Sequence, residues 1–211
     1  MNLFLDTDLT LISTTYNQES HMWQRYIYWI HAFVFCFTLT SCMLVPRLSE
    51  EELKMLDNPP AAARIKFSKL FPRALDWFNK TEAQLLPQGR PLSATELETA
   101  SKLKVVHPEL VRIVALKEFP MPDDPELRIE AIRYGLGSYF EGGRTMGYAI
   151  MLKPQYADDP IVIAHELVHV SQHDRLGRDA FLQRYLLEME IVGYARSPLE
   201  LEAYEKQDQT R

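Results

Sequence analysis

The chain has few cysteines and no cluster of basic residues. Its only two cysteines, Cys36 and Cys42, lie near the N-terminus, so nothing beyond position 42 can form an internal disulfide. The 23 basic residues stand against 29 acidic ones, a formal net charge of -6, and they form no run. Because nucleic-acid phosphates are bound by clustered Lys and Arg, this composition argues against a nucleic-acid partner. The chain also has no internal repeat and no low-complexity segment.

The remaining composition is that of an ordinary folded protein. Hydrophobic residues make up 46% of the chain and charged residues 25%. These values exclude a largely disordered or collagen-like chain. At roughly 100–200 residues per domain, the 211 residues predict one globular domain with a small helical annex.

An uncharged apolar stretch follows Arg25 and covers residues 26–45. Its length just suffices to span a bilayer, and a basic residue before an apolar run is typical of secretory signal peptides. The stretch is therefore interpreted as a cleaved signal or as an uncleaved membrane anchor helix. A helix buried in the core is the third alternative, although such a long apolar run is unusual in a small soluble domain.

The end of this stretch, Leu39-Thr40-Ser41-Cys42, resembles the lipobox of bacterial lipoprotein signal peptides. In that family, small residues precede a cysteine that is lipidated and becomes the first residue of the mature protein. The resemblance implies a lipidated Cys42 in the bacterial cell envelope, and Met43 after it implies the periplasmic side of the outer membrane. Translation from Met22 would give the signal peptide an ordinary length. Residues 1–42 are thus predicted to be a leader.

Two regions follow the leader. Residues 43–92 predict a helical segment interrupted by prolines, and Pro72 is expected to kink or divide its longer helix. Ser93 and Glu96 form a capping box, so a new helix is predicted to begin there. Residues 93–211 mix strand and helix patterns and predict an α+β domain.

Turn and cap signals bound the elements of this second region. Gly142 and Gly143 predict the turn of a β-hairpin, and Asp179 is expected to cap a helix. The predicted elements are a strand over 111–119, a helix from 125 to about 135, hairpin strands within 138–152, a helix from about 161 to 177, and two helices beginning near 179 and 198.

The helix predicted from about residue 161 contains His165-Glu166-Leu167-Val168-His169, which matches the pattern HExxH. Residues four apart lie about 40° apart around a helix, so both imidazoles can bind one metal ion. Glu166 is offset from His165 by about 100°, which places its carboxylate beside the ion. The pattern therefore supplies two metal ligands and a candidate general base.

A catalytic zinc ion usually takes three protein ligands and keeps a fourth position for water. The metzincin continuation HExxHxxGxxH is absent, because Gln172 and Arg175 occupy the positions of its glycine and third histidine. The alternative is an acidic residue on a later helix. The residues alone leave several candidates open: Glu200, Glu202, Glu188, Glu190 and His173.

These features resemble the gluzincin clan of zinc metallopeptidases. The resemblance covers about residues 105–205 and rests on a hairpin strand at 147–150, the segment HELVHV, and a Pro-x-Glu-x-Glu-Ala element at 198–203. It implies a zincin-like fold, in which the active-site helix packs on a small sheet ending in a β-hairpin. It also implies Glu200 as the third ligand, three residues before Ala203. Tyr204 departs from the acidic or amide residue that often follows in that clan.

The resulting expectation is a Zn2+-dependent metallopeptidase that acts on a peptide or protein. Glu166 would take a proton from the attacking water and deliver it to the leaving amine. An extended substrate would pair with residues 148–152 if that strand formed the sheet edge. Tyrosine hydroxyls are candidates to stabilise the oxyanion, and three are available: Tyr185, Tyr194 and Tyr204. The alternatives are a zinc-binding but non-catalytic envelope lipoprotein that acts as an interaction module, and a structural lipoprotein without metal.

Overall fold

The computed structural model describes residues 47–209, so the predicted leader, Cys42 and Met43 lie outside the described residues. Within that range the protein is α+β, with seven α-helices and one four-stranded mixed sheet. The elements are α1 (Glu50–Asp57), α2 (Ala61–Leu85), β1 (Arg90–Pro91), α3 (Ala94–Lys102), β2 (Arg112–Ala115), α4 (Pro125–Arg133), β3 (Gly143–Met146), β4 (Ala149–Leu152), α5 (Pro160–Leu176), α6 (Arg178–Ile191) and α7 (Pro198–Asp208). None of these helices is both long enough and apolar enough to cross a membrane.

Five of the seven described α-helices begin after a Ser or Asp whose side chain accepts hydrogen bonds from free backbone N–H groups. The predicted capping box of Ser93 and Glu96 is present at the start of α3. Asp159 caps α5 and accepts hydrogen bonds from two backbone N–H groups, with proline at the first helical position. Asp179 lies inside α6 and does not cap it, because that helix already begins at Arg178, directly after Gly177.

Pro72 does not divide α2, which is continuous over 25 residues. A proline inside a helix costs about 3 kcal/mol, because a backbone hydrogen bond is lost and the ring meets the preceding turn. Phe71 before Pro72 and Phe78 after it pack in the same core cluster. Since tertiary packing supplies most helical stability in proteins, burial of both halves against the same core offsets this cost.

The sheet has the strand order β1-β2-β4-β3, in which β2 and β4 are parallel and the outer pairs are antiparallel. The hairpin turn is Gly147-Tyr148, so the predicted turn at Gly142-Gly143 is wrong. Gly147 has φ +64°, as the first position of a type II′ turn requires. The expected edge strand is also wrong, because β4 lies between β2 and β3, and the edge strands are β1 and β3.

Alternate residues of β4 face two separate cores, as the two-residue period of a strand requires. Ile150 and Leu152 pack with Ala164 and Leu167 of α5 on one face. Ala149 and Met151 pack with the α2 core on the other face. One face of the sheet therefore packs against α5 and fixes the position of its central turns.

Candidate metal centre

Three candidate ligands meet between α5 and α7. His165 and His169 lie one turn apart on α5, and Glu200 is the third residue of α7. Their exposed fractions are 8%, 6% and 1%, so the group is closed to bulk water on most sides. Within residues 47–209 these side chains form a group that can hold a metal ion.

The donor atoms of this group are spaced as a metal site requires. The Nε2 atoms of His165 and His169 are 3.2 Å apart. Oε2 of Glu200 lies 3.3 Å from Nε2 of His165, and Oε1 lies 3.6 Å from Nε2 of His169. Tetrahedral ligands with zinc bonds of about 2.0–2.1 Å are about 3.3 Å from one another.

The outer ring nitrogens fix which atoms face the centre. Nδ1 of His169 lies 2.9 Å from Oε1 of Gln172, and Nδ1 of His165 lies 2.9 Å from Oε1 of Gln207. Since an amide oxygen only accepts, each Nδ1 carries the hydrogen. The Gln172 amide cannot be reversed, because its nitrogen donates to Leu199 O and to the Glu202 carboxylate. Both Nε2 atoms therefore present lone pairs towards Glu200.

Three inward-facing acceptors need a cation between them. Oε2 of Glu200 is buried without a hydrogen-bond donor. Burial alone would lower the pKa of His169, but the Glu200 carboxylate raises this pKa to about 9. Burial likewise opposes ionisation of Glu200, yet the two histidines hold its pKa well below the ordinary value. The donor set thus fits a metal ion, with a proton on an imidazole as the metal-free alternative.

Neighbours from α6 hold Glu200 in place. The Tyr185 hydroxyl donates to Glu200 Oε1 at 2.7 Å. Burial and the carboxylate raise the pKa of Tyr185 well above its ordinary value, so this hydroxyl keeps its proton. Glu188 accepts from the Ser197 hydroxyl and the Leu199 N–H, which anchors the start of α7. Glu200 therefore reaches the histidines from a fixed helix end.

The candidate general base lies on the side of α5 that faces the sheet edge. Glu166 is 5% exposed, and its Oε2 accepts a hydrogen bond from the Thr145 hydroxyl of β3 at 2.7 Å. A Cβ atom on Gly143 would overlap Oε1 of Glu166. Edge strand β3 therefore sets the position of the carboxylate through the Thr145 hydroxyl and through the space that Gly143, which has no side chain, leaves free.

The structure assigns the other candidate ligands to different contacts. Glu188 anchors α7, and Glu190 pairs with Lys66 and Arg133. Glu202 pairs with Arg175 and also accepts from Gln172, so it supports His169 indirectly. His173 packs edge-on against Tyr148 and Phe181, and it is not part of the group that can hold a metal.

The two other tyrosines lie at the partly exposed side of the centre. The ring of Tyr204 packs on His165 at a centroid distance of 4.7 Å, and its hydroxyl lies 3.1 Å from that of Tyr194. These side chains are 44% and 46% exposed. The hydroxyl of Tyr185 donates to Glu200, and burial together with Glu200 also raises the pKa of Tyr194.

Sequence reasoning did not identify Gln172, Gln207, Thr145 or Gly143. Gln172 follows His169 by three residues on the same helix, so helical spacing was a usable signal for it. The other three come from β3 and α7, and no local pattern brings them to α5. Comparison with protein-family models, with curated proteins and with solved structures gives no match for this chain.

Proposed function

We propose that the protein is a zinc-dependent peptidase with a zincin-like arrangement. The observation that carries the proposal is the mutual spacing of 3.2–3.6 Å among two imidazole nitrogens and the Glu200 carboxylate. Two imidazole nitrogens with one carboxylate are a ligand set of catalytic zinc. His165, His169 and Glu200 would hold the ion. When bound, zinc lowers the pKa of a water molecule towards 7 and polarises a carbonyl group.

Glu166 would act as the general base and then as the general acid in this reaction. Glu166 follows His165 in the chain, and its carboxylate accepts from Thr145 and lies outside the three-ligand group. In this proposal the carboxylate accepts a proton from the attacking water and delivers it to the leaving nitrogen. Tyr194 and Tyr204, whose side chains are partly exposed, are the candidates to donate to the developing oxyanion.

The edge of the sheet suggests how a peptide would be held. Among the described strands, β3 pairs with β4 on one side only. An extended peptide added to its other side would gain backbone hydrogen bonds with little demand on side chains. Because Thr145 of β3 binds Glu166, such a peptide would pass the general base.

The test measures metal and cleavage on the purified full chain. Elemental analysis is expected to find one zinc ion per chain, and mass spectrometry should find new cleavages in a library of proteome-derived peptides. Glu166→Gln should keep the zinc but slow cleavage at least about hundredfold, since it removes general base catalysis. Glu98→Gln, on the exposed face of α3, is the matched control and should change neither.

Other results would favour the alternatives. Zinc without any cleavage would favour a non-catalytic envelope module that acts through interactions. A chain that binds no zinc would overturn the metal centre and leave a structural lipoprotein.

We also propose that lipidated Cys42 holds the protein in the bacterial envelope, on the basis of the lipobox resemblance. Intact-mass measurement of membrane-extracted protein tests this. A mass matching a chain that begins with diacylated Cys42 supports it, and an unmodified full-length mass contradicts it.

A further inference from the structure

Helix α1 lies outside the region that resembles gluzincins, yet it contacts the residue that precedes the cap of α7. The Glu52 carboxylate accepts two hydrogen bonds from the Arg196 guanidinium, at 2.6 Å from Nη1 and 2.7 Å from Nη2. Such a bidentate pair fixes the orientation of both groups as well as their distance. Helix α1 packs against α6 and buries Leu56, so the carboxylate is presented from a docked helix.

The start of α1 places the Glu52 carboxylate. The backbone N–H and the hydroxyl of Ser49 both donate to Glu52 Oε2, at 2.8 Å and 3.0 Å, as part of a capping box. The hydrogen bond from Arg196, together with those from Ser49, lowers the pKa of Glu52 to about 2. The carboxylate is therefore ionised at neutral pH and held in position before and after it meets Arg196.

Arg196 leads directly to the start of α7. The next residue, Ser197, is fully buried, and its hydroxyl accepts a hydrogen bond from the Glu200 N–H at 3.2 Å. Glu200 itself is the third residue of α7. The Glu52 carboxylate is thus connected to the backbone of a candidate metal ligand through one guanidinium and one helix cap.

A second connection from α1 to α7 is weaker. Asp57, at the other end of α1, lies 3.7 Å from Arg184, which donates to Glu188 at 2.7 Å. Glu188 in turn accepts from the Ser197 hydroxyl. The Asp57 side chain is 81% exposed, whereas that of Glu52 is 20% exposed. Because exposed ion pairs contribute little, the pair of Glu52 carries most of the connection.

We propose that Glu52 is a positioning residue of the metal centre, which acts through Arg196 to hold the start of α7 and with it Glu200. The inference rests on the proposed zinc site and adds to it a residue from the helical segment that follows the predicted leader. A partner that orients a ligand directly changes metal affinity about tenfold to hundredfold, and Glu52 is further from the ion, so about threefold to tenfold is expected.

The first experiment measures the zinc affinity of the purified full chain by competition with a chromogenic chelator. Glu52→Gln keeps the capping box, in which Gln serves as Glu does, but removes the charge that binds Arg196. Its zinc affinity should fall about threefold to tenfold. Glu51→Gln removes the neighbouring, exposed charge from the same first turn of α1 and should leave the affinity unchanged.

A double-mutant cycle tests whether the effect passes through Arg196. Arg196→Gln alone should weaken zinc binding about as much as Glu52→Gln does. The double variant should lose no more than either single variant, because both changes break the same contact.

The second experiment separates positioning from stability. Co2+ replaces zinc in the full chain, and its visible absorption reports the arrangement of the ligands around the ion. At saturating Co2+ the absorption bands of Glu52→Gln should be shifted relative to those of the wild type, and those of Glu51→Gln should not. A pair that only stabilises the fold would leave the spectrum of the saturated protein unchanged.

The failures are distinguishable. Unchanged zinc affinity in Glu52→Gln, additive losses in the double variant, or an unchanged Co2+ spectrum would overturn this inference and leave the zinc site standing. Wild-type protein that binds neither Zn2+ nor Co2+ would overturn the proposed function, and the role of Glu52 with it.

Discussion

The side-chain amide of Gln172 joins His169 to the first turn of α7. Its oxygen lies 2.9 Å from Nδ1 of His169, and its nitrogen donates to the backbone oxygen of Leu199 at 2.8 Å. Gln172 is only 1% exposed. One buried amide therefore sets the tautomer of a candidate ligand and also connects the helix that carries Glu200.

Gln172→Leu should weaken zinc binding about tenfold to hundredfold, the usual cost of losing a partner that orients a ligand histidine. The measurement is competition for zinc against a chromogenic chelator of known affinity. Gln183→Leu makes the same change on the exposed side of α6 and should leave the affinity unchanged. Equal zinc affinity in wild type and Gln172→Leu would contradict an orienting role.

Replacing each of two glutamates in α7 tests the choice of third ligand. Glu200→Gln should reduce zinc affinity by more than Glu202→Gln, because only Glu200 reaches the two Nε2 atoms. Glu202→Gln removes the ion pair to Arg175 and weakens the support of Gln172, so a loss of about tenfold is expected. The reverse order in the same chelator competition would make Glu202 the ligand.

The ligand pair on α5 was predictable from sequence because helical periodicity alone brings His165 and His169 together. Glu200 was not predictable in this way. Its approach depends on the turn between α6 and α7 and on Glu188, which accepts from the Ser197 hydroxyl and the Leu199 N–H. From the residues, four other candidates stayed open, and only the resemblance favoured Glu200.

The errors in the predicted fold have the same origin. Gly142, Gly143 and Gly147 are all candidates for the turn of a hairpin. Only Gly147 has the left-handed backbone that a two-residue turn requires. Gly143 is required instead by its contact with Glu166, which lies 23 positions further along the chain. Local patterns cannot separate a glycine needed for φ from one needed for space.

Gly143→Ala should slow peptide cleavage while zinc stays bound. The added Cβ overlaps Oε1 of Glu166, so the carboxylate must move away from its position beside Thr145. A general base contributes about hundredfold or more to the rate, so displacing it should lower the cleavage rate by as much as that factor. Gly142→Ala is the neighbouring control, since its Cβ meets only the Tyr156 ring at 3.1 Å. Steady-state cleavage rates and zinc content decide, and equal rates in the two variants would argue against this role of Gly143.

Metal-free protein should lose stability as the pH rises above neutrality. The folded-state pKa of His169 is about 9, above the ordinary value of 6.5. The contribution of protonated His169 to the free energy of unfolding is therefore fully present below pH 6.5 and is lost as the pH rises through about 9. Urea unfolding of chelator-treated protein at pH 6.5, 8 and 9.5 measures this, and zinc-loaded protein should not show the loss.

The same proton must leave when zinc binds. Between pH 6.5 and 9 about one proton per ion should be released, as calorimetry in two buffers of different ionisation enthalpy can show. Binding without proton release at pH 7.5 would contradict the raised pKa of His169.

Gly147→Ala should destabilise the protein more than Gly193→Ala, its matched control. Gly147 and Gly193 both have positive φ, +64° and +75°, so alanine at either position carries a backbone strain of about 1–2 kcal/mol. Nothing lies within 4 Å of a Cβ on Gly193, whereas on Gly147 it would overlap the carboxylate of Glu82. That buried carboxylate accepts from the Tyr148 N–H at 2.8 Å and pairs with Arg178, so it cannot move without losing both contacts. Urea unfolding should place Gly147→Ala about 1–3 kcal/mol below Gly193→Ala, and equal stabilities would mean that Glu82 does not hold the hairpin against α2.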